Sequence, residues 1–96
     1  MTSSGEQTNV QSRRLVIVNE RGLHARAAAK FVATAGTFTS EITVTKDDTS
    51  VSGRSIMGLM MLAAGPGSSI EVSAAGSDAT AALAALETLV GNRFDE

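Results

Sequence analysis

Two short stretches set the limits on what this chain can become. Ser40-Glu41-Ile42-Thr43-Val44-Thr45 places Ile42 and Val44 on one face and Glu41, Thr43 and Thr45 on the other. Ser69-Ile70-Glu71-Val72-Ser73 repeats the pattern. Side chains alternate along a strand, so each stretch has one apolar and one polar face. Such strands belong in an antiparallel sheet covered on one side and wet on the other.

The other elements arrange themselves around that sheet. Arg13 to Val18 reads as a first strand with Asn19-Glu20-Arg21 as its exit loop, Lys46-Asp47-Asp48 as a turn, and Thr49 to Ser52 as a short partner strand. A helix starting at Leu23 or His24 runs to about Ala35, where Gly36 supplies a stop. Its buried stripe is Ala28, Phe31, Val32 and Ala35, at helical spacing. Ser55 is placed to cap a short second helix with Ile56, Leu59, Leu62 and Ala63 turned inward, and Gly65-Pro66-Gly67 breaks the chain after it. Ser77 or Asp78 opens a third helix whose stripe is Ala79, Ala82, Leu83, Leu86, Leu89 and Val90, ending at Gly91. The order β-α-β-β-α-β-α makes an α+β fold of four strands on one sheet with helices on one face. Residues 1–12, polar and small, are expected to form a flexible N-terminal tail, and 13–96 a single domain.

Composition removes several kinds of function. The chain has no cysteine, which excludes disulfides, thiolate zinc sites and thiol catalysis, and its single histidine excludes a multi-histidine metal centre. A net charge of −2 with three Phe as the only aromatics lacks the basic, stacking surface of a nucleic-acid binder. The longest apolar run, Ile56 to Ala64, falls far short of the ~20 residues that span a bilayer. The first residues lack a basic segment and an apolar core for export, so cytoplasmic residence is expected.

Chemistry has two places to live. The first is Gly22-Leu23-His24-Ala25-Arg26-Ala27-Ala28-Ala29-Lys30. A lone histidine is most often a surface or packing residue. Here it sits where a strand gives way to a helix, and the free N–H groups of Ala25, Arg26 and Ala27 in the first turn favour an anion. Arg26 adds a fixed cation, and a neutral imidazole is a competent nucleophile. A phosphoryl group on His24 could be held by those amides and Arg26. No Walker loop, Mg²⁺-binding carboxylate cluster or nucleophile-base-acid set accompanies it, so the chain could carry such a group but not make or spend one alone. The second place is Ser55-Ile56-Met57-Gly58-Leu59-Met60-Met61-Leu62-Ala63-Ala64, apolar on every face beyond its cap. A helix on one side of a sheet buries only a stripe, so Met57 and Met61 should look outward with Met60 near the edge, as an adaptable docking patch. Phosphorylation of Ser55 would suit the helix end and spoil the neighbouring apolar surface.

Gly22-Leu23-His24-Ala25-Arg26 before an alanine helix, followed by Ser55-Ile56-Met57-Gly58-Leu59-Met60, resembles the HPr family, the histidine phosphocarriers of the phosphoenolpyruvate-dependent phosphotransferase system. The resemblance runs from Arg13 to about Val90. It implies an open-faced β-sandwich in which a four-stranded antiparallel sheet carries three helices on one side. It implies that His24 is phosphorylated on Nδ1 by enzyme I and dephosphorylated by a IIA-type receiver, with Arg26 steadying the phosphate. Ser55 matches the serine modified by HPr kinase in lineages that possess one, and Ala29, Ile56, Met57 and Met60 match the contact surface. The implied protein is a carrier component rather than a stand-alone enzyme; with no cofactor or metal motif in the sequence none is expected, and the small exposed patch, suited to transient docking, points to a monomer. The run around Ser55 and the absence of proline after the arginine are nearer to the nitrogen-related regulatory branch than to the sugar-uptake branch. Family members commonly place proline where Ala27 stands, so Ala27 adds an N–H near the phosphate. The competing reading is a regulatory binding module acting through Ser55 and the Ile56–Met61 patch alone. It leaves the pairing of His24 with Arg26 without a purpose.

Overall fold

The alternation in the two diagnostic stretches becomes the centre of the sheet. In the computed structural model, which describes residues 10–96, β1 (Val10–Val16), β2 (Glu41–Lys46), β3 (Thr49–Ser52) and β4 (Ser69–Ala75) form one antiparallel sheet in the order β1-β4-β2-β3. Val72 of β4 stands between Arg13 of β1 and Val44 of β2, and Ile70 stands opposite Leu15. Ile42, Val44, Ile70, Val72 and Ala74 are buried, while Arg14, Glu41 and Glu71 on the other face are exposed.

The covered face receives α1 (Ala25–Ala35), α2 (Ile56–Met61) and α3 (Ala79–Gly91), so the fold is an open-faced α+β sandwich. Ala27, Ala28, Phe31 and Ala35 are the buried face of α1, and Ala79, Ala82, Leu83, Leu86 and Val90 that of α3. Small alanines let both helices approach the sheet closely, and Phe31 fills the space between. Complete burial of a side chain of that size contributes about 2–3 kcal/mol.

Several sequence expectations shift. β1 starts at Val10, so 10–12 pair with Ala75, Ala74 and Ser73 and belong to the domain rather than to a tail; the rest of the expected tail lies outside the described residues. A strand paired along its backbone tolerates Gln11 and Ser12 because the ladder asks nothing of their side chains. At its other end β1 stops at Val16, although Ile17 still donates to the Ser68 carbonyl at 2.8 Å. Gly36 ends α1 with ordinary right-handed angles (φ −68°), so its conformational freedom goes unused. In α2, Leu59 and Leu62 point inward as expected, but Ile56 is exposed and Ala64 is buried in place of Ala63. The helix stops at Met61 and Ala63 turns left-handed (φ 52°), which rotates the chain before the apolar run is over.

Asp78 holds the cap position of α3, but its side chain makes no cap bond. Its carboxylate instead accepts from the Thr39 amide (2.8 Å), the Ser40 amide (2.9 Å) and the hydroxyls of both residues. Led by the Ser40 hydroxyl and the Thr39 amide, these bonds hold the Asp78 carboxyl down at about 2.

Candidate functional site

His24 owes its position to the loop before it. Gly22 adopts a left-handed conformation (φ 64°) against the segment that follows α2, where any Cβ would run into the Ala64 carbonyl. Only glycine fits that approach without strain. Leu23, itself buried, donates its amide to the same Ala64 carbonyl at 3.0 Å. The loop is thereby tied to the end of α2, and the next residue becomes the N-cap of α1.

His24 has extended cap angles (φ −75°, ψ 177°) and its carbonyl accepts the Ala28 amide at 2.8 Å, but its side chain does not cap the helix. The amides of Ala25, Arg26 and Ala27 therefore have neither an intrahelical acceptor nor a cap. Arg26 is exposed and makes no hydrogen bond or ion pair with the described residues. Three amides and a guanidinium, all without an acceptor among the described residues, thus meet at one helix start, an arrangement suited to an anion.

The imidazole turns the other way. Its Nε2 lies 2.5 Å from Oε2 of Glu96, and the two side chains are 17% and 24% exposed. Glu96 is brought there by a turn over Arg93–Asp95 in which three successive residues are left-handed (φ 60°, 55° and 61°). Such angles cost L-residues about 1–2 kcal/mol each. Phe94 counters this by being buried at the centre of the turn, and Lys30 Nζ donates to its carbonyl at 2.8 Å. From the opposite side the fully buried Asn19 donates Nδ2 to the Gly22 carbonyl (2.8 Å) and to Glu96 Oε2 (3.2 Å). The hydrogen bond from His24 first, then that from Asn19, with the Arg21 guanidinium nearby, lower the Glu96 carboxyl below its ordinary value. An ionised carboxylate can only accept, so Nε2 carries the hydrogen and Nδ1 of the neutral ring keeps its lone pair.

The second cluster is separate in sequence and joined in space, since α1 and α2 are packed neighbours. Ser55 caps α2, its hydroxyl accepting the Gly58 amide at 2.9 Å. Ile56 and Met60 are exposed, and Met57 and Met61 more so, at 69% and 75%. Ala29 is exposed on α1. Sequence reasoning reached His24, Arg26, Ser55 and the methionines, but it missed Asn19, Lys30 and Glu96. The one available signal was Phe94, a large apolar residue beyond the last periodic helix.

Comparison with known proteins matches residues 11–92 to the family described as the PTS HPr component phosphorylation site. The phosphocarrier protein HPr of Neisseria meningitidis serogroup B is 52% identical over 80 residues, covering 83% of this chain and 90% of that protein. The phosphocarrier protein NPr of Shewanella violacea is 44% identical over 84 residues, covering 88% and 92%. A crystal structure of HPr-C-His from Thermoanaerobacter tengcongensis superposes with a TM-score of 0.86 at 43% identity, over 90% of this chain and 97% of that one. A sheet of this topology, three helices on its one covered face and a family match across nearly all the described residues agree: the chain belongs to the HPr family of phosphocarriers of the phosphotransferase system.

Proposed function

We propose that His24 is the residue that carries the phosphoryl group, accepting it from phospho-enzyme I and yielding it to a IIA-type receiver. The observation that carries this reading is the division of labour at one imidazole. Nε2 is engaged by Glu96, and Nδ1 is left as a nucleophile beside a helix start with no side-chain cap. In the transfer, the Nδ1 lone pair attacks phosphorus as the bond to the donor's leaving atom breaks. The phosphoryl oxygens are then held by the amides of Ala25, Arg26 and Ala27 and by Arg26, whose planar fork suits two oxygens at once. This environment stabilises the phosphorylated ring without consuming it, which is what a carrier requires of its site. Residence in the cytoplasm and a monomeric state follow as parts of the same reading. Among the described residues no helix is long and apolar enough to cross a membrane.

Docking in this reading uses Ala29, Ile56, Met57 and Met60, whose flexible side chains suit a surface that must accept a donor and several receivers in turn. Ser55 is proposed as a regulatory phosphosite for an HPr kinase. A phosphate there would sit well on the start of α2 while putting two negative charges beside the apolar patch. The same exposed methionines also suit a pure binding module that never carries phosphate. The two readings separate in one experiment, incubation with phosphoenolpyruvate and enzyme I followed by intact mass before and after mild acid. A carrier gains one acid-labile phosphoryl group that His24→Ala lacks. A module gains none while enzyme I phosphorylates another carrier in the same mixture. Competition between IIA proteins of the sugar and nitrogen systems for the phosphorylated chain then assigns the branch, with the nitrogen-type receiver expected to win.

A further inference from the structure

We propose that Met57 and Met61 form a reversible oxidation switch on the docking helix, each taking one oxygen from a peroxide and losing it to a methionine sulfoxide reductase. This rests on the docking reading of α2 and names how that surface is regulated.

The first observation is where the oxidisable side chains lie. The chain has no cysteine, tryptophan or tyrosine, so its four methionines are the side chains a mild oxidant meets first. Three of them, Met57, Met60 and Met61, belong to the six residues of α2, and the described residues hold no other. Positions three and four apart share a side of a helix, so Met57 neighbours both of the others. Met57 and Met61 are the most exposed large apolar residues of the described chain, ahead of Met60 at 40%. A dissolved oxidant therefore reaches those two sulfurs first.

The second observation is what the same segment keeps inside. Leu59 is fully buried and Leu62 nearly so, and neither has a sulfur to oxidise. Ser55 secures the helix start through the Gly58 amide. Oxygen added to the outward methionines thus changes the surface while the core contacts and the cap stay in place. Leucines at 57 and 61 would give an equally apolar surface, but one whose polarity could not be reset.

The step balances with peroxide as the oxidant. A sulfur lone pair attacks one peroxide oxygen and the O–O bond breaks as the S–O bond forms. The proton left on the transferred oxygen passes to the departing hydroxide, which leaves as water. Sulfur is oxidised by two electrons and the peroxide is reduced by two. The product is a polar, chiral sulfoxide. A partner must strip water from two such groups to dock, a cost that the thioethers do not impose. The reductase's dithiol reverses the step, becoming a disulfide as the oxygen leaves in water.

In the test, the whole chain is treated with hydrogen peroxide, catalase removes the oxidant, and phosphoryl arrival from phosphoenolpyruvate and enzyme I is timed. Peptide masses place the added oxygen, circular dichroism reads the fold, and each chain is compared with its own untreated sample. Met57 and Met61 are expected to take up oxygen before Met60, and the folded product to accept phosphate about tenfold more slowly. Methionine sulfoxide reductases should restore the rate. The combined variant Met57→Leu, Met60→Leu, Met61→Leu should lose no rate on treatment. Oxidation at Met57 and Met61 with an unchanged rate overturns the proposal, as does oxidation that spares them. An equal loss in the leucine variant, which keeps Met1 and His24, places the damage elsewhere and overturns it. Unfolding of the oxidised chain, or a loss that the reductases cannot reverse, makes the change a lesion and overturns it too. If the untreated chain takes up no phosphoryl group from an active enzyme I, the carrier reading falls and the switch falls with it.

Discussion

The starts of α1 and α2 face the same physical problem and resolve it in opposite ways. Both helices open on donors that their own turns cannot satisfy. At α2, Ser55 closes the end with its own hydroxyl. At α1, the residue in the equivalent position turns its side chain to Glu96 and leaves the amides open beside an arginine unpaired among the described residues. A capped end contributes to the fold; an open one forgoes that contribution and keeps its donors for something else. The start of α3 lacks a side-chain cap as well, so an open end alone does not single out α1; the exposed arginine beside its open amides does.

The widest test of this contrast is to make α1 resemble α2. His24→Ser supplies a hydroxyl cap and removes the nucleophile, so phosphoryl gain from enzyme I should vanish. The new cap, worth about 1 kcal/mol, offsets the lost Glu96 contact, and thermal stability should move little. Substantial phosphorylation of that variant would break the comparison. Gly22→Ala attacks the loop that sets His24 in place. With φ at 64° and the Ala64 carbonyl in the way, it should destabilise the fold by about 1–3 kcal/mol, seen as a lower urea midpoint. Ser55→Ala removes the cap at the closed end and should cost about 1 kcal/mol by the same measurement.

The smallest effect concerns the third helix start, where Asp78 serves the neighbouring loop. Its carboxyl is lowered on folding from 3.8 to about 2, so its stabilisation is whole above the ordinary carboxylate range and drains as the pH falls through that interval. Melting temperatures of Asp78→Asn and the native chain should differ at neutral pH and converge below pH about 2. A gap that persists at the acid end would mean that the loop is held by something other than this charge.

What could be read from the sequence was whatever repeats. Alternation in β2 and β4 identified the sheet and its wet face, and the limits of β3 fell at Thr49 and Ser52 as the turn residues suggested. Helical stripes recovered most of the buried faces of α1 and α3. Departures came where a single tertiary contact overrode the pattern: Ala63 turning left-handed, and Asp78 leaving its own helix for Thr39 and Ser40. The site divided along the same line. His24 and Arg26 lie in one local motif, whereas Asn19 is one polar residue in a loop and Glu96 follows a turn with no periodicity. Their meeting depends on the burial of Phe94 and the bond from Lys30, which no local spacing encodes.

The sheet order has a consequence for how the molecule comes into being. β1 pairs with β4 and with no other described strand, so Val10 must wait for Ala75. The β2–β3 hairpin can close early and locally, but the first strand stays without a ladder until most of the chain has been synthesised. Contacts this distant slow the search for the native state. The pairing of His24 with Glu96 belongs to the late part of that process, because the ring meets Glu96 only after the turn beyond α3 has seated Phe94. A growing or truncated chain thus has its histidine long before Glu96 can reach it, and the competence to receive phosphate proposed for His24 would arrive together with the completed fold.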